Sequence, residues 1–368
     1  MSGLITSLMR NLLGYSDTGI SIPPMDNMFK PNNRLEAAKI VTRIDGLDDI
    51  APTTDGFLCS ARDALLRVSL GPDGARVEKL DRLDGAITFL AARADGELAL
   101  ATEKRGLRIG RPGAWRSVEL PEDQARCLTA GCFLPDGSLT LCVGSVRNPA
   151  SAWKRDLMQH GASGCVFSIA PDCGSVRMLA DGLGFPYGIV SLEDGALAVS
   201  ESWRHRVLRV ETEAKSVRPA PMLSNLPAYP ARIAPSAEGG YLLALFAPRR
   251  QLFEMILIED EYRMEMMETI DPSEWVGPDL RQTDDPDQPL QQGSVRQMGI
   301  LKPWAPSRSY GLVVRCDASM TPVESWHSRA DGTRHGITAT CERGGVVFAA
   351  SKGAGELLHL SDEREGAQ

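Results

Sequence analysis

Six short apolar strands, each introduced by a tight turn ending in glycine, constrain the fold of this chain more than any other feature of its sequence. The units are Asp55-Gly56-Phe57-Leu58-Cys59, Asp95-Gly96-Glu97-Leu98-Ala99-Leu100 and Asp136-Gly137-Ser138-Leu139-Thr140-Leu141. Asp194-Gly195-Ala196-Leu197-Ala198-Val199, Gly239-Gly240-Tyr241-Leu242-Leu243-Ala244 and Gly344-Gly345-Val346-Val347-Phe348-Ala349 complete the set. Asp-Gly and Gly-Gly supply the positive φ that tight hairpin turns require. Each strand is nearly continuous in apolar residues, as expected where both faces are buried. Most units carry a second strand downstream in which apolar and polar residues alternate, among them Ala64–Val68, Val166–Ile169, Arg206–Val210, Leu312–Arg315 and Leu357–Leu360. Alternation places these nearer a solvent-facing rim. Inner strands dry on both faces, with outer strands half exposed, describe an all-β fold: a six-bladed β-propeller of radially arranged four-stranded blades. The turn glycines lie 40, 41, 58, 45 and 105 residues apart. The repeat is therefore loose, and a sandwich or a pair of barrels is the alternative.

The sixth unit offers three strands, Gly336 to Cys341, Val346 to Ala350 and Glu356 to Leu360, before the chain runs out. The simplest source of its missing outer strand is Lys39–Ile44, which precedes the first blade. Such closure leaves no exposed edge. The long interval between the fifth and sixth units predicts one helical insertion between the last two blades, at about residues 249–305. Within it, Arg250–Ile270 carries Leu252, Phe253, Met255, Ile256, Met264 and Met267 among Glu and Arg, with no Gly or Pro. This segment packs across a blade edge or forms a lid over the central pocket, since Met-rich faces suit adaptable apolar contacts. Asp271–Lys302 reads as a loop excursion. The chain then divides into an N-terminal helix and linker (1–22), the propeller (23–362) and a tail (363–368).

Composition narrows the partners. With 48 acidic against 40 basic side chains the net charge is −8, which argues against nucleic acid and against an anionic membrane surface. No apolar run approaches the roughly 20 residues that span a bilayer. At the start of the chain, Leu4, Ile5, Leu8, Met9, Leu12 and Leu13 fall in pairs every four positions, the spacing of one helical face. Arg10 and Asn11 interrupt them, which a secretory signal would not allow, so this segment is expected to dock on the body or on a partner. Weak membrane contact is the alternative. The eight cysteines form no Cys-x-x-Cys pair and sit mostly in apolar strands. They read as small buried hydrophobes in a reducing, cytoplasmic setting.

Several motifs together resemble the strictosidine synthase-like proteins. They are Phe185-Pro186-Tyr187-Gly188-Ile189, Ser200-Glu201-Ser202 and Arg206-Val207-Leu208-Arg209, supported by Pro23-Pro24-Met25-Asp26, Asn225-Leu226-Pro227-Ala228-Tyr229-Pro230 and Gly239–Leu245. That group belongs with the gluconolactonases, paraoxonases and phosphotriesterases of the six-bladed calcium propeller superfamily. The motifs occur in the family's order over about residues 23–362, and the resemblance implies the propeller fold. It does not by itself carry an activity, because one fold hosts many chemistries.

Counting eight residues back from each turn glycine gives Asp48, Thr88, Thr129, Tyr187, Arg232 and Ile337, which should ring one mouth of the central channel. In the calcium-dependent relatives this ring holds a Glu, two Asn and an Asp on the metal. Here Asp48, Thr129, Tyr187 and Arg232 stand at those places, and calcium wants six to eight oxygens, several of them anionic. The resemblance thus implies that the calcium site is gone and that no cofactor is needed. The glutamate that handles protons in strictosidine synthase falls at Thr338, which cannot serve as a general base at neutral pH. Glu342, near the end of the same strand, reads as a turn residue. The candidate catalytic residues are His335, Asp48 and Tyr187; the candidate substrate-binding residues are Arg232, Thr129, Thr88 and Thr338; none is a metal ligand. Arg232 with Tyr187 and His335 suits a small anionic or carbonyl-bearing ligand. Two functions remain open at this point. One is a metal-independent enzyme, by resemblance an ester or lactone hydrolase; the other is a non-catalytic propeller that binds a small molecule or a protein.

Overall fold

The computed structural model describes residues 22–72, 74–213, 218–282, 296–297, 300–301 and 307–360. Six four-stranded antiparallel sheets stand radially around a channel. Blade I comprises Leu47–Pro52, Gly56–Ala61, Ala64–Gly71 and Gly74–Arg82; blade II comprises Ile87–Ala92, Leu98–Thr102, Gly106–Arg111 and Ala114–Ser117. Blade III runs Leu128–Phe133, Leu139–Val143, Gly164–Ile169 and Val176–Leu183; blade IV runs Pro186–Ser191, Leu197–Glu201, Arg206–Val210 and Ala220–Leu223. Blade V holds Ala228–Pro235, Tyr241–Pro248, Leu312–Cys316 and Pro322–His327. Blade VI holds Ile337–Arg343, Val346–Ser351 and Glu356–Leu360, and its fourth strand is Lys39–Arg43 from the other end of the chain.

The burial gradient follows the sequence pattern. Every residue of Gly56–Ala61, Leu98–Thr102, Leu139–Val143, Leu197–Glu201 and Tyr241–Pro248 is buried, whereas Gly74–Arg82 and Ala114–Ser117 contain no buried residue. The second strand of each blade is sandwiched between neighbouring sheets, and the fourth is the more exposed, although in blade V Ser325, Trp326 and His327 of the fourth strand are buried. Closure by Lys39–Arg43 covers the edge of Glu356–Leu360 and ties residue 39 to residue 359.

The helical insertion lies inside blade V, not between the last two blades. Tyr241–Pro248 pairs directly with Leu312–Cys316, so the chain leaves and returns between the second and third strands of one sheet. It forms two helices, Gln251–Ile258 and Asp260–Thr269, broken at Glu259. Phe253, Ile256 and Met266 pack with Trp275 and with Met158 of blade III. A second, smaller insertion occupies the same place in blade III, where Ala150–Ala152 and Trp153–Met158 are helical. The expected N-terminal helix and the tail lie outside the described residues. Among the described residues, no helix is long and apolar enough to cross a membrane. All eight cysteines are free thiols.

Candidate functional site

One irregularity recurs in every blade and builds the site. Where the innermost strand pairs with the second, the register skips at Asp48, Thr88, Thr129, Tyr187 and Thr338, and across Ala231–Arg232 in blade V. A bulge leaves the extra residue outside the ladder and re-aims its side chain. Six bulges at one level therefore turn six side chains toward the channel. The count of eight residues lands on five of them, and in blade VI the bulged residue is Thr338, the neighbour of Ile337.

Arg232 lies across the channel and is only 6% exposed. Its Nη2 is 3.1 Å from Asp48 Oδ2, and its Nε is 3.1 Å from Asp49 Oδ2. It also donates from Nη2 to the Thr88 carbonyl (2.6 Å) and from Nη1 to the Asp48 carbonyl (3.1 Å). The Thr338 hydroxyl donates to that same Asp48 carbonyl at 2.6 Å. The guanidinium sits 5.1 Å from the centre of the Tyr187 ring, a cation–π distance. Both Nη atoms thus donate to protein oxygens, and Nε is ion-paired with Asp49 without a hydrogen bond among the described residues.

Above this plug opens a cavity of about 290 Å³. Asp48, Thr88, Thr129 and Tyr187 line it, whereas Arg232 and Thr338 lie beneath. Thr129 and Thr88 donate their hydroxyls to the carbonyls of Pro186 (2.6 Å) and Ala101 (3.4 Å). Five of the fifteen lining residues are aromatic, in a chain with only 6% aromatic residues. Phe185 stacks on Trp203 (4.6 Å between centroids, 28° between planes), and Tyr187 meets Phe185 and Phe246 edge to face. The Trp203 indole N–H donates to Asp156 Oδ1 at 2.8 Å, which fixes the ring. Trp153 comes from the blade III insertion, and Leu280 from the segment that follows the blade V helices. Asp279, next to Leu280, is clasped by Lys154 (3.0 Å) and Arg308 (2.6 Å), which ties the two insertions together over the mouth.

Lys352 is the one cation among the described residues that line the cavity. Its Nζ is 2.9 Å from Asp48 Oδ1, and its side chain keeps 35% of its exposure. Burial would raise the Asp48 carboxyl, but the Lys352 ammonium and the Arg232 guanidinium outweigh it and hold the group at about 2. Burial would likewise lower Lys352, and the Asp48 carboxylate outweighs that and raises it, so the ammonium stays charged. Burial raises the Tyr187 phenol, with the Asp48 carboxylate adding to it, which keeps the hydroxyl a donor. Among the described residues nothing hydrogen-bonds to that hydroxyl. Glu103 accepts from the Ser151 amide and, at 3.1 Å, from the Ser151 hydroxyl, with no cation paired to it among the described residues.

His335 lies away from this wall. A carbonyl can only accept, so its Nε2–H donates to Arg329 O (2.7 Å) and its Nδ1 accepts from the Ser309 hydroxyl (2.7 Å). It is fully buried, and burial lowers its pKa, so the ring is neutral. Glu342 is not a turn residue: it belongs to Ile337–Arg343, and its carboxylate accepts from the Ser236 hydroxyl at 2.7 Å beside Arg315.

No family model matches the sequence, and no curated protein does. Solved structures do match. Regucalcin from Agrobacterium tumefaciens, a calcium-binding protein, aligns over 88% of this chain and 93% of its own, with a TM-score of 0.54 and 13% identity. Luciferin-regenerating enzyme aligns over 89% and 94%, with a TM-score of 0.53 and 12% identity. A structural-genomics protein assigned as a gluconolactonase aligns over 88% and 90%, with a TM-score of 0.54 and 13% identity. The chain shares their six-bladed fold. At such identity the likeness carries the fold alone, and it does not confirm the narrower resemblance to strictosidine synthase-like proteins.

Sequence reasoning missed Lys352, Glu103 and most of the aromatic wall. Lys352 directly follows the second strand of blade VI, opposite the bulge, a position the turn count does not address. The signal for Trp153 was present: the 58-residue interval of blade III is longer than its neighbours by the length of an insertion.

Proposed function

We propose that the aromatic-walled cavity binds a small ring-bearing carbonyl compound and hydrolyses it as an ester or lactone, without a metal ion. The observation that carries this reading is the Lys352 ammonium, held 2.9 Å from Asp48 in a wall that also presents five aromatic side chains. An aromatic wall takes a planar body, and an ammonium with donors to spare takes a carbonyl oxygen. Lys352 and the Tyr187 hydroxyl stabilise the charge that grows on that oxygen as water attacks, in a recessed site where such donors are worth most. Glu103 takes the proton of the attacking water. A bond forms between the water oxygen and the acyl carbon, the acyl–oxygen bond breaks, and Glu103 returns the proton to the leaving oxygen. Asp48, held ionised at about 2, is too weak a base for this step and positions Lys352. The gluconolactonase assignment of one fold neighbour favours lactones.

The residues at the mouth do not fit calcium. Both oxygens of Asp48 face cations, and the Thr129 hydroxyl is committed to a carbonyl. A divalent ion would be repelled by an ammonium and a guanidinium and would find too few anionic oxygens. The eight free thiols suit a reducing compartment, which favours the cytoplasm.

The test is turnover of dihydrocoumarin, phenyl acetate and gluconolactone with EDTA present. The reading expects hydrolysis of at least one aryl substrate, a fall in kcat/KM of roughly a hundredfold in Lys352→Met, and a fall mainly in kcat in Glu103→Gln. Ligand-induced melting shifts without turnover would favour a binding protein. Neither turnover nor binding would overturn both readings.

A further inference from the structure

Arg232 divides the channel, and below it lies a second, wider cavity of about 430 Å³. Its wall is built from residues that follow the bulge in each innermost strand and is mostly apolar, with Ile50, Leu90, Ile189 and Ile233 among them. Besides the Arg232 Nε, which is ion-paired with Asp49, two polar groups on this wall are incompletely satisfied. Thr340 is 4% exposed, and its hydroxyl has no hydrogen-bond partner among the described residues. The Glu342 side chain is 3% exposed; its Oε2 accepts from Ser236 Oγ (2.7 Å), the Ala237 amide (3.2 Å) and Arg315 Nη1 (3.4 Å), and its Oε1 has no partner among the described residues. Thr340 and Glu342 are two apart on one strand, so their side chains project from the same face. Buried polar atoms are rarely left unmet, and two orphans facing one cavity call for a partner that enters it.

We propose that this second cavity is a binding site for a small molecule with an apolar body and a hydrogen-bond-donating head, a primary amine or an alcohol. The head donates to Glu342 Oε1 and exchanges a hydrogen bond with Thr340, while the body lies along the aliphatic wall. An anionic head is disfavoured, because Glu342 and Asp49 both place carboxylates on this wall and the Arg232 charge is already paired with Asp48 and Asp49. The site shares no lining residue with the aromatic cavity. Asp48 lines one cavity and Asp49 the other, so the two sites meet only through the Arg232 plug.

The experiment is calorimetric titration of the full chain with cyclohexylmethylamine, cyclohexylmethanol and cyclohexanecarboxylate. At least one of the first two is expected to bind, and the carboxylate is not. Thr340→Val, an isosteric change, should weaken binding at least tenfold, and Thr340→Ser should restore it. Ala92 lies on the cavity wall at the exposed end of its strand, so Ala92→Trp fills the mouth without disturbing the core and should abolish binding. Lys352→Met, which alters only the other cavity, should leave it intact. The proposal is overturned if neither amine nor alcohol binds at millimolar concentration. Binding that survives both Thr340→Val and Ala92→Trp, or that vanishes in Lys352→Met, would overturn it equally.

Discussion

Asp48 and Asp49, consecutive in the chain, both pair with one guanidinium. The Arg232 Nη2 meets Asp48 and the Nε meets Asp49, each at 3.1 Å. In a regular strand neighbouring side chains point to opposite faces, and the bulge at Asp48 brings both within reach of one partner. Asp49 is anchored further by the amides of Ile50 (2.9 Å) and Leu90 (2.8 Å), so the plug joins blades I, II and V.

Arg232→Met should be strongly destabilising, because it leaves the buried Asp49 carboxylate without its cation and Asp48 with Lys352 alone. Breaking a buried pair from one side costs about 3–5 kcal/mol. Urea denaturation should show this as a lower midpoint with little change in slope. Arg62→Ala removes a pair with Asp45 whose side chains are 68% and 85% exposed, and should stay within about 0.5 kcal/mol of wild type.

Acid should weaken the same network in a defined window. The Asp48 carboxyl falls from its ordinary 3.8 to about 2, so its contribution is present above about pH 4 and is lost as pH drops through about 2. The linkage is worth roughly 2 kcal/mol. His327 acts at higher pH. Burial holds it at about 4 against an ordinary 6.5, so its neutral form contributes fully above about 6.5 and the gain is lost as pH falls toward 4. Melting curves should fall in two steps. In Asp48→Asn the lower step should shrink, with Glu254, also held at about 2 beside Arg249 and His205, supplying the remainder.

Trp203→Leu should weaken ring-bearing ligands by about tenfold, since it removes the stack on Phe185 and one face of the wall. Aliphatic lactones should lose far less. Ligand quenching of tryptophan fluorescence gives both affinities; equal losses for the two classes would deny the wall its role in selecting planar bodies.

His335→Gln should leave the pH dependence of kcat/KM unchanged, although the buried substitution will lower the melting temperature. Both ring nitrogens are committed to Ser309 and Arg329, away from the cavity. An alkaline or acidic limb near pH 6–7 that vanishes in the variant would restore His335 to the chemistry.

The blades were legible because turns and burial are local: glycine sets the hairpin, and a continuous apolar run sets the buried second strand. The mouth ring was legible wherever bulge and turn keep their spacing. It slipped by one in blade VI, where Arg343 pairs with Val346 across the two-residue turn Gly344–Gly345, both at positive φ (60° and 77°). Blade II bridges Ala92 to Leu98 with a longer turn, so eight residues back reaches its bulge there. What stayed hidden depends on packing between distant segments. Asp48 and Lys352 are 304 positions apart and meet only because the ring closes. Trp153 and Leu280 reach the cavity from insertions whose landing place no periodicity encodes.

The central claim is that Lys352 polarises a carbonyl oxygen inside the aromatic cavity. Infrared difference spectroscopy of bound 1-indanone, whose ring carbonyl copies that of an aryl lactone but has no leaving group, tests it most directly. The account predicts a carbonyl stretch shifted to lower frequency on binding to wild type, and a return toward the value in apolar solvent in Lys352→Met. A carbonyl stretch that is the same in both proteins would contradict it.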